Sequence, residues 1–405
     1  MKNKLPKLAN YKDCTGCMLC ADICNHKAIR FYIDTNGFWK PVINEHNCVG
    51  CKLCETKCTE VRTNRIEIVC RQPLRGHAIS EAVRLRSTSG GLFYSIAEHA
   101  ILSKNAVVYG AVCEGTNVFH KSVETIEELK ELQGSKYAQS NASGIYTDVR
   151  SRLRQGRYVV FSGTPCQVNA LRVYLKNDYD NLLCIDLICH GVPSNILMYR
   201  HLAINKGDGI IQFRTKERGW GRDSYLTISR KGQVVTIDDP SKNLFYHAFQ
   251  SEQCFRLNCY KCQFNDIHRT GDITLGDFWA IRFTVEYDRL GESTILPNSI
   301  KGLKFLQSCN NIEYRDATWD DTLRCNPRLY TNRQEYLKTA LSSKINRLYR
   351  LLPSRLADYI FEAWHSKHRH LFYLWSKHLE RIQKNLDAND DALSDILKKI
   401  ENNAM

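Results

Sequence analysis

Eighteen of the 405 residues are cysteine, and many sit at spacings suited to thiolate chemistry. Cys14, Cys17, Cys20 and Cys24 have C-x2-C-x2-C-x3-C spacing, and Cys48, Cys51, Cys54 and Cys58 repeat it 34 residues later. Two-residue gaps let neighbouring thiolates wrap one iron–sulfur cubane, while the fourth cysteine of each run reaches the opposite cluster. One cluster is therefore expected on Cys14, Cys17, Cys20 and Cys58, the other on Cys48, Cys51, Cys54 and Cys24. Zinc is the competing reading, but it uses paired C-x2-C units rather than triplets with a distant fourth. Disulfides fit poorly, because small secreted scaffolds lack repeated x-x spacings and no signal-peptide apolar core is seen.

A second set of thiols is separated in sequence. Cys166 lies in Ser162-Gly-Thr-Pro-Cys-Gln167, and Cys189 in Cys189-His-Gly-Val-Pro-Ser194. Each follows an apolar strand, and in a parallel sheet the carboxyl ends of such strands meet at one ligand-binding edge. Cys166 also opens a helix, where the macrodipole favours thiolate. With Cys259 and Cys262 these two would complete a third 4Fe–4S site. Cys254, Cys259 and Cys262 also have the C-x4-C-x2-C spacing of plant-type 2Fe–2S proteins, with Cys309 the nearest downstream cysteine. Packed core thiols are the third reading of Cys166 and Cys189. Cys70, Cys113, Cys184, Cys309 and Cys325 are assigned to packing.

Three polar segments suit an anionic cofactor. Ser89, Gly90 and Gly91 precede a helix and offer amides and hydroxyls to a pyrophosphate, although Ser89 also suits an N-cap. Gly134-Ser-Lys-Tyr-Ala-Gln-Ser140 sets Lys136 among small donors, suited to phosphate or a flavin ring oxygen. Phe213-Arg-Thr-Lys216 and Gly219-Trp220 supply two cations and an aromatic plate. His190 could deliver a proton at the crevice, or simply satisfy its own turn.

The elements that must position these groups are legible in the periodicity. Short strands at 29–33 and 40–43 flank a turn at Asn36-Gly37. An apolar-periodic helix is expected over 92–102, strands over 106–112, 158–161 and 182–188, and helices over 124–132 and 167–175. That βαβ rhythm predicts a largely parallel sheet. Residues 210–283 read as β-rich, and from about 334 the pattern turns helical and basic.

Residues 14–58 resemble a bacterial two-cluster ferredoxin domain, with Asn25 and Thr59 where that family usually has proline. Ser89-Gly-Gly91, Gly134-Ser-Lys-Tyr137, Gly163-Thr-Pro-Cys-Gln167, Cys189-His-Gly-Val-Pro-Ser194 and Gly276-Asp-Phe-Trp279 resemble the coenzyme F-420 hydrogenase/dehydrogenase β-subunit family, over about residues 75–325. The resemblance implies a flavin- and iron–sulfur-containing reductase with FAD in the crevice. The contacts expected for FAD are Ser89, Gly90, Gly91, Ser135, Lys136, Tyr137, Gln139, Ser140 and Thr164, beside a third cluster on Cys166, Cys189, Cys259 and Cys262. It does not imply use of the deazaflavin coenzyme.

Composition bounds the rest. Hydrophobic residues are 43% and charged residues 25%, an ordinary globular mixture that excludes disorder and coiled coil. The formal charge of +14 favours an acidic electron carrier, a partner redox subunit or an anionic small molecule. Nucleic acid is disfavoured, because no basic stripe with interleaved aromatics is present. No apolar run reaches the ~18 residues of a transmembrane span, so a cytoplasmic protein is expected. The expected fold class is α+β: a ferredoxin-like dicluster domain over 1–72, a mixed α/β flavin-binding core over 73–330, and C-terminal helices over 331–405. The expected function is an FAD- and 4Fe–4S-dependent oxidoreductase passing electrons between a ferredoxin-type carrier and a two-electron acceptor. The alternative is a non-catalytic electron-transfer subunit of a larger redox complex.

Overall fold

The computed structural model describes residues 5–330, apart from positions 35, 61–71, 218, 222–225, 237–244, 247–248, 250–251, 253, 284–286 and 325. Cys70, Cys325 and the expected C-terminal helices lie outside the described residues. Each N-terminal cysteine run carries a single helical turn, α1 (Leu19–Asp22) and α2 (Leu53–Thr56), entered from a left-handed residue, Met18 or Lys52. Between the runs, β1 (Ile29–Ile33) and β2 (Trp39–Ile43) pair antiparallel around the expected turn.

The rest of the chain builds a sheet from β3 (Leu74–Ala78), β4 (Val107–Glu114), β5 (Asn117–Val123), β6 (Val159–Gly163) and β7 (Leu182–Leu187). A separate antiparallel sheet of β8 (Gly209–Gln212), β9 (Thr227–Arg230) and β10 (Gln233–Thr236) intervenes before β11 (Ile273–Asp277), β12 (Ser293–Pro297) and β13 (Ile312–Asp316). The large sheet has the order β13-β3-β12-β11-β7-β6-β4-β5. Strands β4, β6, β7 and β11 run parallel, and the flanking strands are antiparallel, so the sheet is mixed. The β4–β5 link explains one edge: Gly115 at φ 62° closes a turn far too short for a crossover.

The helices are α3 (Glu81–Arg86), α4 (Leu92–Lys104), α5 (Ile126–Leu132), α6 (Ile145–Arg154), α7 (Pro165–Leu175), α8 (Asn195–Ile204), α9 (Ile300–Ser308) and α10 (Trp319–Arg324). Their ends follow local chemistry. Thr125 and Glu128 form a capping box at α5, and Thr164 with Gln167 forms another at α7, where Pro165 supplies the preset first turn. Strands β6 and β7 read as continuous apolar runs because both faces are covered. On one face α4 and α9 bury Leu92, Ile96, Phe305 and Leu306 against Val160 and Ile185. On the other, α6 and α7 bury Tyr146, Val149 and Leu171 against Phe161, and Met18 and Leu19 join that same core. Each fully buried side chain of this kind stabilises by about 1.5–3 kcal/mol. The N-terminal segment therefore completes a layer of the core instead of hanging from it. Among the described residues no helix is long and apolar enough to cross a membrane.

Candidate iron–sulfur and cofactor site

Several of the N-terminal thiols lie close enough to act on one another electrostatically. Burial pushes the Cys20 thiol well above its ordinary value, followed by the charges of Cys17, Cys14, Cys58 and Cys54. Cys58, pushed up to about 11 by burial, also feels Cys17 and Cys14. Cys54, raised by burial, feels Cys24 and Cys51. Cys51 is exposed, and Cys48 is partly buried, as are Cys14, Cys20, Cys24 and Cys58. Among the described residues no three His, Cys, Asp or Glu side chains converge tightly enough to hold a single metal ion. A cubane takes its thiolates at four separate irons and asks for a wider spacing. Thr59, where ferredoxins usually carry proline, is buried with Oγ1 3.5 Å from Cys17 Sγ.

The second set is brought together by the sheet. Cys166 sits in the first turn of α7 after β6, Cys189 follows β7, Cys259 lies in a 3-10 turn over Leu257–Lys261, and Cys262 directly follows that turn. All four line one small cavity, with Thr15 of the first cysteine run and Arg328. The expected helix-dipole lowering of Cys166 is outweighed. Burial pushes its thiol well above the ordinary value, opposed only by Thr164 Oγ1 at 3.2 Å and reinforced by Cys189, Cys17 and Cys262. These thiols stay protonated unless a metal's charge compensates them, which is the ordinary coupling of thiolate formation to metal binding. Cys254 is buried in an apolar cluster with Phe249 and Phe255 and does not line this cavity. Cys184 and Cys309 pack in the core as expected, and partly buried Cys113 contacts backbone carbonyls.

The two thiol regions are joined by buried hydrogen bonds that no spacing signalled. Arg256, fully buried, donates from Nη1 to Cys14 O (3.3 Å) and Trp39 O (3.2 Å), and from Nη2 to Gln139 Oε1. Gln139 Nε2 donates to Thr15 O (2.8 Å) and Gly16 O (3.1 Å). Gly16, at φ +68°, leaves no space for a β-carbon, which would stand 2.8 Å from both Arg256 Nη2 and Gln139 Oε1. Asp22 caps α6 by accepting from Gly144 N (2.6 Å) and Tyr146 N (2.9 Å), and Tyr146 Oη donates to Cys17 O at 2.6 Å.

Beside the thiol cavity lies a larger one of about 450 Å³, and Cys189, His190, Gly191, Val192 and Arg328 line both. Its volume falls in the range of small-molecule sites. Ser89, Gly91, Ser135, Lys136, Tyr137, Gln139, Ser140 and Thr164 all line it. Gly90 does not: its amide donates to Ser293 Oγ, and a β-carbon there would meet Gly76 O at 2.6 Å, so its role is close packing. The Ser89 hydroxyl is likewise engaged, donating to Glu292 O. The open helix start is one step later, where Gly91, Leu92 and Phe93 begin α4 at the cavity wall.

Other expected contacts are already partnered. Lys136 Nζ donates to Gln133 O (2.9 Å) and Glu131 O (3.1 Å), and burial pushes it down to about 8. Gln167 Nε2 donates to Ser140 Oγ. Tyr137 stacks on Phe249 at 4.4 Å. His190 reaches the cavity with Nε2 3.0 Å from Glu252 Oε1. Arg214 and Trp279 form another part of the wall, with Arg214 bound to Asp277 at 3.0 Å. Trp220 and Lys216 stand behind it: Trp220 is fully buried, and Lys216 Nζ donates to the carbonyls of Arg84, Ser89 and Leu290. Glu252 and Arg328 carried no sequence signal, and Arg256 lies within the Cys254–Cys259 spacing, where only the thiols drew notice.

Comparison with known proteins adds the family. Residues 156–318 match the model that describes the C terminus of the beta subunit of coenzyme F-420 hydrogenase/dehydrogenase, a narrower span than the motif resemblance covered. Residues 13–60 match the 4Fe–4S dicluster domain. No curated protein matches. Among solved structures, a chain of the xenon-derivatized F-420-reducing NiFe hydrogenase complex from Methanosarcina barkeri aligns at TM-score 0.46 and 12% identity, covering 69% of this chain and 93% of its own length. The chain thus carries a match to the 4Fe–4S dicluster domain followed by one to the C terminus of the coenzyme F-420 hydrogenase/dehydrogenase beta subunit.

Proposed function

We propose that this chain is an iron–sulfur flavoprotein oxidoreductase holding three 4Fe–4S clusters and FAD. The observation that carries the reading is the shared wall: four thiols line one cavity, and Cys189 also lines the adjoining 450 Å³ cavity. The donor sets fit. Cys166, Cys189, Cys259 and Cys262 would hold the third cluster. For the flavin, the α4 start, Ser135, Thr164 and Lys136 offer groups suited to phosphate and hydroxyl, and Tyr137 and Trp279 offer apolar surface. When bound, FAD would convert single-electron traffic into two-electron chemistry.

The chain's own residues arrange the route. Cys51 is exposed to solvent, Cys20 feels the charge of Cys54, and Cys17 acts on Cys166. Electrons would thus cross from a carrier or partner subunit through the N-terminal clusters to the crevice. Arg256 and Gln139 hold that junction closed, and buried Phe249 and Phe255 pack beside His190 and exclude water. His190, held by Glu252, is the group at the wall suited to move a proton. An acidic carrier suits the +14 charge.

The test is cofactor content after anaerobic purification. We expect ~12 iron and ~12 acid-labile sulfide per chain, from three cubanes, with one FAD. About eight of each would remove the third cluster. Full iron with no flavin bound after reconstitution would leave the electron-transfer subunit as the function.

A further inference from the structure

Arg328 lies beyond residues 156–318, the span the family model matches, and belongs to the 3-10 turn Pro327–Leu329. Its side chain is 4% exposed and lines both cavities. Nη2 donates to Glu252 Oε2 at 3.0 Å, and Glu252, 1% exposed, turns its other oxygen to His190. The Nε–H of Arg328 is buried and has no acceptor among the described residues. A buried donor left unmet is costly, and the thiol cavity that Arg328 helps to line is one place where an acceptor could stand. The guanidinium acts electrostatically on Cys189, Cys259 and Cys262, three of the four thiols there.

We infer that Arg328 sets the reduction potential of the third cluster, donating from Nε to a cluster or cysteinyl sulfur while its fixed charge stabilises the added electron. The inference rests on the three-cluster reading. Hydrogen bonds to sulfur and local charge are the levers by which a protein tunes such a cluster. The step itself is transfer of one electron from the neighbouring N-terminal cluster, with no bond made or broken at Arg328. Glu252 is a positioning residue: it anchors the guanidinium through Oε2 and offsets part of its charge. A high potential at this cluster would draw electrons toward the larger cavity.

The experiment is an anaerobic redox titration of the full chain followed by electron paramagnetic resonance, with iron counted in each variant. Arg328→Gln should lower the reduced-to-oxidised ratio of the third cluster about tenfold at a given potential, ~59 mV for one electron, leaving the N-terminal pair unmoved. Glu252→Gln removes the offsetting carboxylate and should shift the same cluster the opposite way. Arg328→Lys keeps the charge without the Nε–H and should fall between. An Arg328→Gln protein with full iron and an unmoved midpoint overturns the inference, as do shifts of the same sign in Arg328→Gln and Glu252→Gln. If Arg328→Gln loses the cluster, the signs in Arg328→Lys and Glu252→Gln decide. A wild-type protein with about eight iron overturns the three-cluster reading first, and this inference with it.

Discussion

Replacing Arg256 by methionine tests whether the dicluster domain is built into the core or only tethered to it. The guanidinium is fully buried and donates to Cys14 O, Trp39 O and Gln139 Oε1, while its plane lies 5.1 Å from the Phe38 ring. Each hydrogen bond from a charged donor contributes about 1.5–3 kcal/mol net, so three amount to about 4–9 kcal/mol. Methionine keeps much of the volume and relieves the cost of burying a charge, which offsets several kcal/mol. The expected destabilisation is about 2–4 kcal/mol. The assay is anaerobic urea unfolding, followed both by cluster absorbance and by far-ultraviolet circular dichroism, because the two probes need not coincide in a protein of this size. Gln139→Leu should cost less, and the double variant should cost less than the sum, since the two side chains are in contact. Gly16→Ala is an independent check, because its β-carbon would strike the same pair. A loss below about 1 kcal/mol in Arg256→Met, with additive behaviour in the double variant, would refute the docked arrangement.

Cys166→Ser should lose about four iron per chain while the N-terminal pair stays intact, and Cys254→Ser should lose none; the reverse pattern would favour the plant-type spacing. Thr59→Val keeps the shape but removes the hydroxyl beside Cys17 Sγ. If that hydroxyl donates, the midpoint of its cluster should fall by ~40 mV, the equivalent of ~1 kcal/mol, with iron unchanged; an unmoved midpoint would deny the hydrogen bond. Lys136, pushed down to about 8, binds fewer protons when folded than when unfolded between pH 8 and its ordinary 10.5. Its contribution to stability therefore rises with pH through that window, and Lys136→Met should flatten the rise in urea midpoint between pH 7.5 and 10 relative to wild type. Equal slopes in the two proteins would show that Lys136 titrates normally.

The dicluster domain was legible because C-x2-C-x2-C-x3-C is a local constraint: its closely spaced thiols are already neighbours along the chain. The central strands were legible for a similar reason, since β6 and β7 read as apolar runs wherever helices cover both faces. Thiols 166 and 189 could be grouped only because parallel strands end at one edge, a rule of topology rather than of spacing, whereas 259 and 262 showed as a C-x2-C pair. What sequence could not supply was direction and partnership. It read Ser89-Gly-Gly91 as a phosphate cradle, but the approach of β3 and β12 to Gly90 uses that amide and moves the open helix start to Gly91. It placed Cys166 at a favourable dipole, but burial outweighs the dipole. Polar and charged residues gain meaning from what they touch: Gln139 sits in a polar motif, yet two of its three side-chain hydrogen bonds go to the first cysteine loop, while Arg256 lies among cysteines that drew the attention and Arg328 in a segment without pattern. Their roles depend on burial among groups far away in the chain, where low dielectric makes each unmet donor expensive, and only the tertiary structure decides which donors those are.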